Sequence, residues 1–412
     1  MRRIETLALS PNPSPARRER GANAWPHGRR LWSPLSRLRE RGGGEGWRSA
    51  MPLPLLVAVL ATVSTPALAQ SSVTVYGRLN TAIEYSYANT ATDGTHLGGV
   101  ARMTNYRSVF GLRGEEGLGG SLKAVWQIES NLSIDTGQGQ IASRNSRIGL
   151  QGDYGLLFMG HWHTPYTEAT MAYDPYYPTT AGYMALIGNG STSSSNNVED
   201  TSSFDRRQKN IVQYRSPELA GASVWLGWGL PEEKTTVPRN PALYSAALVY
   251  ARGPLNATLA YEIHQHYQAA GRNDDALKVG LAYELFAGTR IAAVYEHLHY
   301  RTDTGDLQRN GYYASLVQKL GPGSVRIGFA LAANGTGSST DTIGFFRSGA
   351  QTGATQLTVG YDYPLSKRTA LFAFYSRINN QRNAIYDFAI NELGVSAGAD
   401  PQTFALGMRH NF

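Results

Sequence analysis

The chain has 412 residues and not one cysteine. In an exported protein that excludes a disulfide scaffold, and it suits a chain that crosses an oxidising compartment unfolded. No apolar run reaches the roughly 20 residues that a membrane-spanning helix needs. No long amphipathic helical period is visible either, which argues against an α/β enzyme with helices between its strands. A G-x-S-x-G elbow is missing, and no convincing Ser/His/Asp set can be assembled. These absences weigh against a lipase or protease, and no catalytic centre or cofactor is expected.

Excess charge is also lacking once the chain is divided. The full sequence is +7, from 38 basic and 31 acidic residues. Residues 1–69 hold 11 Arg and four Glu, so residues 70–412 carry 27 of each sign and are neutral. The basic balance therefore gives no argument for nucleic acid as a partner. Residues 1–50 are Arg-, Gly-, Pro- and Ser-rich without apolar period. They read either as part of an unusually long leader or, the favoured reading, as a gene-model error ahead of a translation start near Met51. Residues 51–69 (MPLPLLVAVLATVSTPALA) are a short apolar run ending in Ala67-Leu68-Ala69, the pattern of a signal peptide cleaved before Gln70.

What is present is period two. In RNSRIGLQGDYGLLFMGHWH (144–163), Ile148 and Leu150 point one way and Arg147 and Gln151 the other. In the second run, Leu156, Phe158 and Trp162 share a face and His161 and His163 take the opposite one. Gly152-Asp153-Tyr154-Gly155 between them is a tight turn. In residues 122–131, Leu122, Ala124, Trp126 and Ile128 alternate with Lys123, Gln127, Glu129 and Asn131. Such runs recur to the end, where Phe404, Leu406, Met408, His410 and Phe412 share a face. About sixteen strands result. Residues 89–104 are expected as a polar loop and Glu115–Gly120 as a turn. Short links such as Ser216-Pro217-Glu218 and Gly321-Pro322-Gly323 alternate with long loops, the longest over about 164–206. Short turns at one end and long loops at the other predict an all-β, transmembrane antiparallel β-barrel in residues 70–412, with aromatic residues at strand ends. A loop that long is expected to be functional.

The stretches SSVTVYG (71–77), FGLRGEEGLGGSLKAVWQIES (110–130), SRIGLQGDYGLLFMG (146–160), NIVQYRSPELAG (210–221), VGYDYPLSKRTALFAFYSRINN (359–380) and GMRHNF (407–412) resemble the general porins of Gram-negative β-proteobacteria, the Neisseria–Burkholderia–Comamonas type. The resemblance covers 71–412. It implies a sixteen-stranded barrel in the outer membrane, bounded by lipid and lipopolysaccharide, a homotrimer, and passive diffusion of small hydrophilic solutes and ions. It also implies a third extracellular loop folded into the pore, here 164–206. The terminal Phe412 is expected to be read by the outer-membrane assembly machinery. This chain departs from the family at His161, where Arg is usual, at His410, where an aromatic is commoner, and in the loop tail STSSSNNVED (191–200), which is not expected to lie in the pore.

A channel works through width and lining charge. Strand parity puts Arg78, Arg107, Arg113, Lys123, Arg147 and Arg215 on the face assigned to the lumen, together with Glu84, Glu115 and Glu129. The loop supplies Glu168, Asp174, Glu199 and Asp200. A basic wall facing an acidic loop predicts a modest anion preference. The loop's Tyr166, Met171, Tyr173, Tyr176 and Tyr177 are expected to pack against the wall, although they also leave room for a substrate-selective porin. An adhesin fits less well, because a charged lumen and an inward loop imply flow. His161/His163, His264/His266 and His297/His299 each form a His-x-His pair. Two residues apart on a strand share a face, so each pair is a weak candidate metal clip or a mouth that charges near pH 6.

Overall fold

The computed structural model describes residues 72–412 apart from 238 and 287; the extension (1–50) and the signal peptide (51–69) lie outside the described residues. Sixteen strands form the wall: β1 Ser72–Ala88, β2 Leu97–Asn105 continued by Ser108–Gly119, β3 Leu122–Ser133, β4 Ser146–Gly152, β5 Gly155–His163, β6 Arg206–Arg215, β7 Ala222–Gly229 and β8 Ala242–Arg252. They continue as β9 Leu255–Gln265, β10 Asn273–Phe286, β11 Thr289–Thr302, β12 Gly305–Leu320, β13 Gly323–Ala332, β14 Ala354–Pro364, β15 Thr369–Asn380 and β16 Pro401–Asn411. Each pairs antiparallel with its neighbour in sequence, and β16 returns to β1 from Ala88↔Pro401 to Arg78↔Asn411. Closure leaves the wall without an open edge, and that is what lets a sheet lie in lipid. No helix among the described residues is long and apolar enough to cross a membrane.

Alternation decides the two faces. On β16, Phe404, Leu406 and Met408 are exposed while Ala405 is buried. On β9, Leu259 and Tyr261 are exposed while Thr258, Ala260 and Glu262 are buried. The exposed apolar set is the lipid-facing band and the buried, partly polar set points inward. Four positions differ from the sequence expectation. Residues 97–104 are strand rather than loop, because Gly98 and Gly99 mask a short alternation that pairs with β1. Residues 115–119 continue β2, so the turn is confined to Gly120 and Ser121, with positive φ at Gly119 and Gly120. The polar run 301–310, which the sequence leaves as a link between strands at 289–300 and 311–320, is strand on both sides of a two-residue turn. On β5 the lipid face belongs to Leu157 and Met159, whereas Phe158 and Trp162 are buried.

The segment 164–205 explains much of the buried set. Thr164 caps the short helix α1 (Pro165–Met171) by accepting from the Thr167 amide. The segment then crosses the inner faces of β7 to β14. Tyr166 donates to Glu296 on β11 at 2.8 Å, Tyr173 bonds Thr258 on β9 at 3.0 Å, and Tyr176 reaches the Arg326 carbonyl on β13 at 2.5 Å. Inward glycines make the groove. A Cβ on Gly227 would meet Pro165, one on Gly280 the Tyr173 ring, one on Gly311 the Ile187 side chain, and one on Gly360 the Tyr176 hydroxyl. The loop therefore sits where the wall has no side chains.

Candidate functional site: the lumen and its basic wall

With the loop packed on the inner face of β7 to β14, two cavities lie chiefly along β1 to β6. One cavity of about 510 Å³ is lined by Tyr76, Arg78, Glu129, His163, Tyr177 and Arg207, among others. A second of about 680 Å³, nearer the long loops, is lined by Arg107, Gln140, Ser191 and Ser194, and Arg144 lines both.

Arg107 sits where β2 breaks, with φ of 53°. A non-glycine residue in that region carries a cost of about 1 kcal/mol. The bend aims its guanidinium at the lumen side of the loop, where it donates to Ser191 Oγ at 2.8 Å and Tyr177 Oη at 3.4 Å. Arg207, the second residue of β6, donates to Asn145 Oδ1 at 2.6 Å, the Ser193 carbonyl at 2.7 Å and His163 Nε2 at 2.8 Å. Arg144 lies 3.4 Å from Glu129, which also accepts from Tyr76 at 3.0 Å. Arg78 donates to the Arg107 carbonyl. Among the described residues, Arg78, Arg107 and Arg207 form no ion pair within 4 Å, and Arg144 has Glu129 alone. Burial, followed by the neighbouring guanidiniums of Arg207 and Arg107, pushes the Arg144 group well below its usual range, partly offset by Glu129. A guanidinium stays charged in a protein, so the cluster holds like charges together and an anion would relieve it.

The other sequence-predicted basic residues lie on the same inner faces with different neighbours. Arg113 stacks over Tyr76 at 5.2 Å, and Arg147 lies over Trp162 and Phe158 at 4.3 and 4.7 Å. Lys123 pairs with Glu115 at 2.9 Å, both well exposed. Arg215 is gripped by Glu168 through two bonds of 3.0 and 2.6 Å. Glu84 is buried under Arg102 at 2.8 Å.

The acidic set needs correction. Only Glu168 faces the basic wall. Asp174 is turned into the loop's own core, where it accepts from the Tyr176 and Tyr183 amides and from Tyr313 Oη. Glu199 pairs with Lys209 at 2.8 Å on the exposed outer side, and Asp200 is exposed beside it. Neither lines a cavity named above. The tail 191–200 was expected outside the pore, yet Ser191, Ser193 and Ser194 line the mouth. Asp205 was not foreseen. It is buried, accepts from Ser191 Oγ at 3.3 Å and Tyr177 Oη at 3.5 Å, and burial pushes its carboxyl up to about 6 against the pull of Lys278 and Arg107. Arg144 and Arg207 were also missed. The RNSR and DRRQ runs that contain them sit at strand–loop junctions, where parity no longer assigns a face.

Two of the three histidine pairs are not aligned as clips. Gly160 has a φ of 152° and the β5–β6 register slips between Gly160 and Trp162, so His161 and His163 are not on a regular ladder. His163 engages Arg207 and Asn145. His264 stacks between Phe204 and Tyr267 at 4.0 and 4.4 Å and bonds Glu262, whereas His266 lies past the strand end with φ of 57°. His297 and His299 point outward on β11, opposite buried Glu296. No group of three or more metal-ligating side chains converges among the described residues.

The family model for Gram-negative porins matches residues 56–383. Outer membrane porin protein 32 of Delftia acidovorans is 27% identical over 370 residues, covering 87% of this chain and 99% of that protein. Major outer membrane protein P.IA of Neisseria meningitidis is 23% identical over 416 residues, covering 86% and 99%. Among solved structures, the anion-selective porin from Comamonas acidovorans superposes with a TM-score of 0.69 at 25% identity, covering 83% of this chain and all of that one. OmpT of Vibrio cholerae, at 14% identity and a TM-score of 0.60, shares the fold. A closed sixteen-stranded wall, a loop packed inside it and a charged lumen that remains open belong together, and this chain is a member of the Gram-negative porin family, an outer-membrane channel for passive diffusion.

Proposed function

We propose that the channel prefers small anions. The observation that carries this is the unpaired state of Arg78, Arg107 and Arg207 around cavities in which Glu129 is already held by Arg144. In a narrow, low-dielectric passage, fixed charge of one sign raises the local concentration of the opposite ion. The anion-selective character of the Comamonas acidovorans structure supports the reading by likeness. The channel works as a homotrimer without a catalytic centre or cofactor. It is exported by a signal peptide cleaved before Gln70, its Phe412 is read by the assembly machinery, and it sits among lipopolysaccharide. The test is planar-bilayer recording of the chain from Gln70 onward in a salt gradient. Conductance steps in threes with an anion-directed reversal potential are expected. A cation-directed reversal would overturn the preference and hand control to Glu168 and Glu129.

A further inference from the structure

The last loop, 381–400, is built as firmly as the third. Tyr386 and Phe388 are buried. The Asp387 carboxylate accepts from the Phe388, Leu393 and Gly394 amides at 2.7, 2.8 and 2.7 Å, which closes residues 387–394 into a compact knuckle. Its apolar crown, Ala389 and Ile390, lines the 680 Å³ mouth opposite the serines of the third loop. Two contacts hold it there. Asn391 donates to Thr180 Oγ1 of the third loop at 3.0 Å. Arg102 on β2 donates to the carbonyls of Asn391 and Glu392 at 2.6 and 3.2 Å while its Nε donates to buried Glu84 at 2.8 Å. A planar guanidinium fixed by a carboxylate on one edge presents the other edge rigidly. Here that edge grips backbone, so the hold does not depend on the loop's side chains.

We propose that residues 386–393 are a fixed lip of the pore and that Arg102 is its positioning residue, so that the lip, and not the third loop alone, limits the size of solute that reaches Arg107 and Arg144. Ala389 and Ile390 offer no charge or hydrogen-bonding side chain, so the lip restricts by width and leaves ion preference to the arginines. The inference rests on the channel reading and not on the sign of the ion preference.

The experiment compares the gluconate-to-chloride permeability ratio, from bi-ionic potentials, with the reversal potential in a potassium chloride gradient. In Arg102→Ala the ratio and the single-channel conductance are expected to rise, the ratio by roughly twofold, while the potassium chloride reversal potential stays put, because Arg102 and Glu84 line neither cavity and buried Glu84 keeps its bond from Tyr106 Oη. Arg102→Lys, which keeps one donor group and the charge over Glu84, is expected to fall between. A Thr180→Cys/Asn391→Cys pair, in a chain with no other cysteine, provides a readout that does not require the alanine variant to fold. Oxidation is expected to leave the conductance of the otherwise unaltered channel unchanged and to restore the ratio in Arg102→Ala. A folded Arg102→Ala barrel with the original ratio would overturn the proposal, and so would a locked channel with lower conductance, because the lip would then swing during conduction. A cation-directed reversal with the predicted ratio change would sink the anion preference and leave the lip standing.

Discussion

Glu168 and Arg215 meet across the gap between loop and wall, carboxylate to guanidinium, with bonds of 3.0 and 2.6 Å. The same carboxylate accepts from Trp162 Nε1 at 2.8 Å, so one loop acid engages two residues of the wall. Paired in this way, Arg215 contributes little to the lumen field. Glu168→Gln keeps the size and a hydrogen bond but frees the charge. The reversal potential is expected to move towards anions. Both groups are mostly shielded from water, and the stability loss is expected at about 1–2 kcal/mol, measured by the urea midpoint of the folded barrel. An unmoved reversal potential would mean that Arg215 is screened by something other than Glu168.

Asp205 is expected to give the channel a pH response. Its folded carboxyl titrates at about 6, above the ordinary 3.8, because burial penalises the charged form. A raised carboxyl makes the folded state bind the proton that the unfolded chain has released, so stability from this group falls as pH rises from about 4 to about 6. The groups facing it are Arg107, Tyr177, Lys278 and Glu296, together with Ser191, Arg207 and Tyr183. Acidifying through pH 6 removes a negative charge next to Arg107, and anion preference is expected to rise between pH 7.5 and pH 5. Asp205→Asn is expected to show the higher preference already at pH 7.5 and a flatter profile. A variant that tracks the original channel across that range would remove Asp205 from the account.

The glycine groove predicts a packing defect that reaches conduction. Gly280 is on the inner face of β10 where the Tyr173 ring lies, and a methyl group there would overlap that ring. Gly280→Ala is expected to displace Tyr173, break its bond to Thr258 and cost about 1–3 kcal/mol. Current noise from a loosened loop should accompany the lower urea midpoint. An equivalent change at Gly253, a turn position with nothing within 4 Å but a φ of +58°, is expected to lower stability through backbone strain without adding noise.

Reading the sequence succeeded where period two was unbroken. Leu122 to Asn131, Ile148 and Leu150, and Phe404 to Phe412 all took the faces their alternation implied. It failed where the backbone departs from the regular pleat. The slip after Gly160 undid the parity of His161 and His163, and the positive φ at His266 put that ring beyond the ladder. On β5, Leu156 and Phe158 could not be told from Leu157 and Met159 by hydrophobicity, since both faces are apolar; the burial of Phe158 beneath the Arg147 guanidinium identifies the inner one. The loop acids were ranked by charge alone. Asp174 carries that charge into a socket of three donors, which no spacing rule anticipates, while Asp205 sits one residue before a strand and was passed over.

Arg207 and Arg144 are not expected to count equally. Arg207 is bonded to neutral partners, Asn145, the Ser193 carbonyl and His163, so Arg207→Gln subtracts one positive charge and nothing else from the lumen. Arg144 is the only ion partner of Glu129 among the described residues, at 3.4 Å. Arg144→Gln therefore removes a positive charge and also releases a negative one into the same cavity. The anion-to-cation permeability ratio is expected to fall severalfold in Arg207→Gln and further in Arg144→Gln, since each unit charge in a narrow passage is worth on the order of 1 kcal/mol. Adding Glu129→Gln to Arg144→Gln should bring the ratio back to the Arg207→Gln level. If the two single variants instead gave equal ratios and the added change had no effect, Glu129 would not act on the permeating ions, and the lumen charge would have to be recounted without it.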